Sequence, residues 1–462
     1  MQIIGKLKTV TSLEAKGNGV SIGFECLDRD LFKPEKCYDL LGQTGCKFAR
    51  VQTGWSKCEK QKGVYDFSWL DDVVDNLLAR GIRPFFNVGY GNPIYMECSN
   101  PTGVGCVPTL AGEAAADAWR AFIRALAKHF VKRVTHYEIW NEPNIPNFWY
   151  PGQSDPAEYA ELVRLTGGVI RSVNPEARIG ANVSYMYRLD FVKGILENLR
   201  PGDIHFFSYH AYGVTDDFHL SFDVHYKHWQ RLLDRYGFTD VELWQTEAGF
   251  PTWAPEGYHM VTPGIEDERP QAVFMLRRYF ADFFHGAKVA SFFQMADMWE
   301  KPYQTAASTL KKPGGHGILN GLVYTPKLSY TAFSHLAALF DGDIAPSDVY
   351  VFGDMKKYAG WRHYSDPFEE CAIQLMSFVR NGYPFYAYYL PSPITEQRVF
   401  NRCFRLCVED APKEPILIDP LTGEIYAIDT ANEVNGYTEY RLLPMKDYPM
   451  VVTDRKAVAI TE

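Results

Sequence analysis

The chain is predicted to be an α/β protein in which eight strand–helix units close into a (β/α)₈ TIM barrel, with a C-terminal antiparallel β-sandwich after it. Three observations carry this. Short apolar runs rich in Val, Ile and Phe alternate with amphipathic helical stretches over roughly residues 19–340, the pattern of repeated βα units on a parallel sheet. No Gly-rich phosphate turn follows the first run, as an open doubly wound sheet would want. Past about residue 342 the texture shifts to short strands broken by Pro, Gly and Asp.

In order, the expected barrel strands are GVSIGFE (19–25), CKFARVQ (46–52), IRPFFNVG (82–89), VTHYEIW (134–140), ARIGAN (177–182), IHFFSYHA (204–211), VELWQTE (241–247) and VASFFQMA (289–296). Helices fall between them. Asp155, Pro156 and Glu158 read as an N-cap, a first-turn proline and a capping-box acid, and the helix they open runs to Asn174, which precedes Pro175. AAADAWRAFIRALAKHFV repeats the helical spacing before the fourth strand. The β domain is expected from DVYVFGD, YAGWRHYS, ECAIQLMSFV, PFYAYYLP, RVFNRCFRLCVE, PILIDPLTGEIYAI and YTEYRLLP. The first 18 residues also read as β, and a closed barrel has no edge to receive them, so they are expected to join that domain. The division is therefore 1–18, 19–342 and 343–462.

At 462 residues, with 46% hydrophobic and 15% aromatic content, the chain can bury a large core without staples. A net charge of -9 and the lack of a basic, aromatic-interleaved patch argue against a nucleic-acid partner. No stretch reaches the length of a membrane span. The amino terminus lacks an apolar h-region and a small-residue cleavage site, which points to the cytoplasm. Nine cysteines without a CxxC pair read as reduced thiols, with a zinc site at Cys58, Cys98 and Cys106 as the lesser alternative.

Chemistry is suggested by EIWNEPNIPNFW (138–149). Strand parity puts Glu138, Trp140 and Glu142 on one face and turns Tyr137 and Ile139 toward the helices, so Glu142 ends the fourth strand. That rim of a barrel is where active sites are assembled. In VELWQTEAGF, Leu243, Gln245 and Glu247 are expected to face inward, with Glu247 ending the seventh strand. Two glutamates at one mouth are what glycoside hydrolysis requires: one acid protonates the leaving oxygen while a second carboxylate attacks the sugar or activates water. Parity in CKFARVQ points Phe48, Arg50 and Gln52 inward, and a buried Arg50 needs an anion.

EIWNEPNIPNFW together with LWQTEAGF resembles clan A glycoside hydrolases, most closely glycoside hydrolase family 39. The similarity extends over FSYHAYG, GGHGILNGLVYTPKLSYTAF and the stretch from Arg50 to Pro93. The resemblance implies a retaining mechanism with Glu142 as acid/base and Glu247 as nucleophile. Carboxyls about 5–5.5 Å apart repel by roughly 3 kcal/mol at an effective dielectric near 20, so Glu142 is expected to hold its proton while Glu247 is charged. The resemblance further implies that Arg50 supports the nucleophile; an ion pair with Glu138 is the other reading, and both stay open. Tyr212 fits the clan's strand-six hydroxyl on the nucleophile better than His210, which shares its face. Asn141 resembles the asparagine that binds the sugar 2-hydroxyl. Trp299 suits the apolar floor of a sugar site, and Asn87, Trp149, Trp55, Tyr90 and Phe148 lie in rim loops that shape a pocket.

The resemblance implies a β-glycosidase acting on β-xylosides first and then β-glucosides or β-galactosides, and a cytoplasmic site would favour an oligosaccharide or small glycoside in an exo-acting pocket. No cofactor and no metal are expected, and a homo-oligomer is left open. Two other classes remain: a metal-dependent hydrolase using His205, His210 and Asp297, and a non-catalytic glycan-binding barrel. The long loop from AGFPTW through HMVTPGIEDERP places specificity in question more than mechanism.

Overall fold

The computed structural model describes residues 1–184, 188–212, 218–253, 266–307, 309–310, 314–357, 373–394, 402–429 and 431–461. The strand expected at YAGWRHYS, the central part of the long loop after Glu247 (254–265) and Cys371 lie outside these.

Eight parallel strands close into a barrel: Val20–Gly23, Phe48–Gln52, Arg83–Val88, His136–Ile139, Arg178–Ser184, Phe206–His210, Glu242–Ala248 and Val289–Phe292. They are barrel strands one to eight here, and each falls within or against its expected segment. Strand eight closes on strand one with Val20 beside Ala290. Asp155 caps the helix Pro156–Val173 by accepting from the backbone N–H groups of Ala157 and Glu158. Glu158 does not reach back to complete a capping box; it accepts the Trp149 indole N–H at 3.4 Å.

Two layers fill the barrel. The lower one is apolar: Phe48, Phe85, Phe206, Trp244 and Val289 cluster, with Trp244 stacked on Phe206 at 4.3 Å between centroids. Gly180 makes room for it, since a Cβ there would lie 2.1 Å from the Phe206 ring. The upper layer is polar and carries Arg50, Glu138, Asn182, Ser208 and Thr246, all buried. Register builds it: Gln52 pairs with Asn87, Asn87 with Glu138, and Asn182 with Ser208.

An antiparallel β-sandwich follows the barrel. One sheet runs Ile344–Pro346, Gln374–Arg380, Tyr383–Tyr389, Met450–Asp454, Pro415–Ile418, Glu424–Ala427, Ile3–Leu7, Ile460–Thr461; the other runs Val351–Lys357, Arg402–Val408, Tyr437–Pro444, Ala431–Val434. Tyr388 and Phe404 stack between them at 4.4 Å. The amino-terminal strand is held by its pairing with Glu424–Ala427 and Ile460–Thr461.

The described cysteines are free thiols. Cys98 and Cys106 pack in one small cluster, whereas Cys58 binds the Thr53 carbonyl at 3.2 Å and forms no ligand trio with them among the described residues. Among the described residues no helix is long and apolar enough to cross a membrane.

Candidate active site

Arg50, from strand two, is the centre of the upper layer. Its Nε donates to Glu138 Oε2 (2.7 Å), Nη1 to Glu25 Oε2 (2.8 Å) and Glu247 Oε2 (2.7 Å), and Nη2 to Asn141 Oδ1 (2.7 Å). The two readings of Arg50 are thus one arrangement: the same guanidinium holds Glu138 and Glu247. Glu138 also accepts from Ser208 Oγ (2.5 Å), Thr246 Oγ1 (2.6 Å), Asn87 Nδ2 (2.8 Å) and Asn182 Nδ2 (3.3 Å). Burial pushes its carboxyl up, but Arg50, His210 and the two hydroxyls outweigh that and hold it below the usual glutamate range.

Glu142 reaches the site by a different route from simple alternation. Strand four ends at Ile139, and Trp140 (φ 68°) and Glu142 (φ 45°) both take left-handed backbone conformations. The chain therefore turns. Trp140, expected inward, packs outside the strands against Tyr90, Trp119 and Trp149, and Asn141 takes the inward place. The turn is clamped to strand five: the Glu142 N–H donates to Asn182 Oδ1 (2.7 Å), and Asn144 exchanges two hydrogen bonds with the Ser184 backbone (2.7 and 2.8 Å).

Glu247 likewise owes its place to an irregularity. Trp244 and Thr246, not Leu243 and Gln245, face the barrel interior: Trp244 joins the lower aromatic layer and Thr246 reaches Glu138, whereas Leu243 packs in the outer core. Pairing with strand eight jumps from Gln245–Ala290 to Ala248–Phe292, so one extra residue is inserted. This bulge turns Thr246 and Glu247 inward together.

Within this frame His210 Nδ1 lies 2.8 Å from Glu142 Oε1 and 3.7 Å from Glu247 Oε2, while its Nε2 meets the Asn182 amide at 3.1 Å. Glu142, His210 and Glu247 offer atoms all within 4.8 Å of one another. Such a trio has the spacing of metal ligands, but Arg50 already sets a positive charge 2.7 Å from Glu247, so a cation there would meet like charge. We read it as a hydrogen-bonded His210–Glu142 pair standing beside Glu247. Tyr212 donates its hydroxyl to Glu247 Oε1 at 2.7 Å, and burial together with Glu247 keeps that phenol protonated. For Glu247 itself burial acts upward, yet His210, Arg50 and Tyr212 prevail and hold the carboxyl below its ordinary range.

Trp299 is partly exposed and stacks on Trp253 at 5.5 Å. The other rim candidates stand behind the acids. Asn87 is fully buried and braces Glu138 and the Trp140 carbonyl (2.6 Å). Trp149 is buried against Trp140 and Tyr159. Phe148 stacks on Tyr90, whose hydroxyl takes Gln52, and Trp55 packs with Trp119 and Phe122. His205 accepts the Ile179 N–H, and Asp297 is bound to Lys327 at 2.8 Å, so the alternative metal set does not assemble.

Glu25 and Asn182, like Ser208 and Thr246, were not singled out from sequence. Glu25 lies just past strand one as Glu142 lies just past strand four, so the same rim argument would have flagged it. Asn182, joining Glu142, Glu138 and His210, gave no such signal.

The sequence profile of Glycosyl hydrolases family 39 matches residues 48–345. The chain belongs to this family. The β-xylosidase of Geobacillus stearothermophilus is 29% identical over 179 residues, covering 36% of this chain and 34% of that protein. The β-xylosidase of Caldicellulosiruptor saccharolyticus is 27% identical over 161 residues, 32% of each chain. The matched region thus spans about a third of either relative. A family 39 glycoside hydrolase from the gut symbiont Bacteroides cellulosilyticus WH2 superposes with a TM-score of 0.66 over 97% of this chain and 83% of that one, at 19% identity, which speaks to the shared fold.

Proposed function

We propose that this family 39 protein is a retaining, exo-acting β-glycosidase that cleaves short β-glycosides by double displacement. The observation that carries the reading is the pair of acids, Glu142 and Glu247, presenting oxygens within 4.8 Å across one mouth. That spacing suits a carboxylate attacking the anomeric carbon directly; an inverting pair stands about 6.5–9.5 Å apart to admit water.

Glu247, kept ionised by Arg50 and Tyr212, attacks the anomeric carbon while Glu142 donates its proton to the departing oxygen. The glycosyl ester that forms carries no charge on Glu247, and Glu142, now a carboxylate steadied by His210, takes a proton from the incoming water. Water's oxygen then displaces Glu247 and returns the sugar with its original configuration. A transglycosylase would share every step but the last acceptor. Asn141, oriented by Arg50, is the candidate for the sugar 2-hydroxyl, and Trp299 for its apolar face.

The names of the two β-xylosidase relatives support a β-xyloside as first substrate, with β-glucosides and β-galactosides next. A cytoplasmic site of action, taking imported short glycosides, belongs to the same proposal. The test is a panel of aryl β-glycosides against the wild type and Glu247→Gly with added azide. Release of phenol by the wild type is expected, with loss in the variant and recovery by azide as the glycosyl azide of inverted configuration. Glycan binding without phenol release from any sugar would favour a non-catalytic barrel instead.

A further inference from the structure

Arg50 is touched by three buried carboxyls, those of Glu25, Glu138 and Glu247. Were all three ionised, one guanidinium, even with His210 3.7 Å from Glu247, would leave net negative charge in the barrel, which is expensive in a medium of low polarisability. One acid is expected to keep its proton, and the donors around each decide which. Glu138 accepts from five side chains, and Glu247 from Arg50 and Tyr212. Glu25 receives Arg50 Nη1 alone; its Oε1 is buried over Gly23 and meets no donor among the described residues. Glu25 and Glu247 both accept from Nη1, and the hydrogen bond between their carboxyls raises the first and lowers the second, which sets its proton on Glu25.

We propose that Glu25 is the proton-holding carboxyl of this site, a positioning residue that donates to Glu247 and leaves Arg50 to pair with Glu138 and Glu247. The groups facing it are Arg50 from strand two, Glu247 from strand seven, Tyr212 beyond strand six and its own neighbour Cys26, with the neutral Gln294 beside it from just past strand eight. Burial, and then the charge of Glu247, push the Glu25 carboxyl well above the glutamate range, against the pull of Arg50. For stability the sign follows: the folded state keeps a proton that the unfolded chain loses, so Glu25 costs stability increasingly as pH rises above the ordinary glutamate value.

This inference rests on reading Glu247 as the nucleophile, and its tests are chosen to stand apart from turnover. In infrared difference spectra at pH 7, wild type minus Glu25→Gln is expected to show the C=O band of a protonated carboxylic acid; a carboxylate band there would overturn the proposal. Glu25→Gln is expected to gain thermal stability over the wild type as pH is raised from 5 to 8, and a pH-independent difference would count against it. In kinetics, Glu25→Leu is expected to lose tenfold or more in kcat/KM and to shift the acidic limb upward, with Glu25→Gln recovering most of both because its amide still donates. Equal losses in the two variants would overturn the role. Inactivity of the wild type would tell against the glycosidase reading only, since the infrared and thermal readouts need no substrate.

Discussion

The guanidinium of Arg50 helps set the charge state of Glu247, and the amide of Asn182 holds the backbone that aims Glu142. Because Glu247 is held below its ordinary value of 4.5 by His210, Arg50 and Tyr212, its ionised form persists into acid. Activity that needs the carboxylate is lost only as pH falls through that lowered pKa, so the acidic limb of kcat/KM is expected below pH 4.5. Tyr212→Phe removes a donor from Oε1 and is expected to move that limb upward, read from a pH–rate profile; a limb that stays put would detach Tyr212 from the nucleophile. The same sign governs the folding contribution of Glu138 and Glu247, present above the unfolded glutamate pKa and lost on acidification. Of these residues Glu142, Glu247, Arg50, His210 and Tyr212 were legible in sequence because residue type, strand end and motif agreed. Asn182 was not, because an asparagine inside a strand looks the same whether it serves a site or merely fills one.

At the scale of elements, the eight barrel strands were legible because buried parallel strands read as compact apolar runs. Alternation within them failed at two places. Strand four stops at Ile139 and turns through left-handed residues, and strand seven carries an extra residue at its end. Each departure brings a glutamate to the mouth that strict pleating would have aimed differently or explained wrongly. The bulge is sustained in part by Thr246, whose hydroxyl satisfies Glu138. Thr246→Val keeps the shape but removes that donor, and the expected cost is about 1–3 kcal/mol, read as a lowered midpoint in denaturant unfolding. No loss would show that Asn87, Asn182 and Ser208 satisfy Glu138 without it. The same Glu138 would then remain below the glutamate range.

For the molecule as a whole, the barrel and the sandwich are joined through a buried seam. Arg277 donates to the Asp447 carbonyl (2.5 Å) and the Ser392 carbonyl (3.0 Å), while Phe280 and Phe340 from barrel-side helices pack on Phe385 and Phe378. We propose the chain division 1–18, 19–342 and 343–462 on this basis, with the first segment completing a sheet of the last. A seam of this kind couples the two parts, so calorimetry of the full chain is expected to show one transition. A chain cut after residue 342 is expected to aggregate, because Phe280 and Phe340 would face water. Two separate transitions, or a soluble and stable barrel fragment, would show that the seam carries little.

What the sequence determined by itself was the architecture and the chemical vocabulary: periodicity declares strands and helices, and an acid beside Asn and Pro at a strand end declares a mouth. Tertiary structure alone decided how those acids come to face each other, which carboxyls share Arg50 and which rim aromatics stand behind the site. The physical reason is that periodicity is local, whereas a bulge, a left-handed turn and the division of one guanidinium among three buried carboxyls depend on neighbours contributed by other strands.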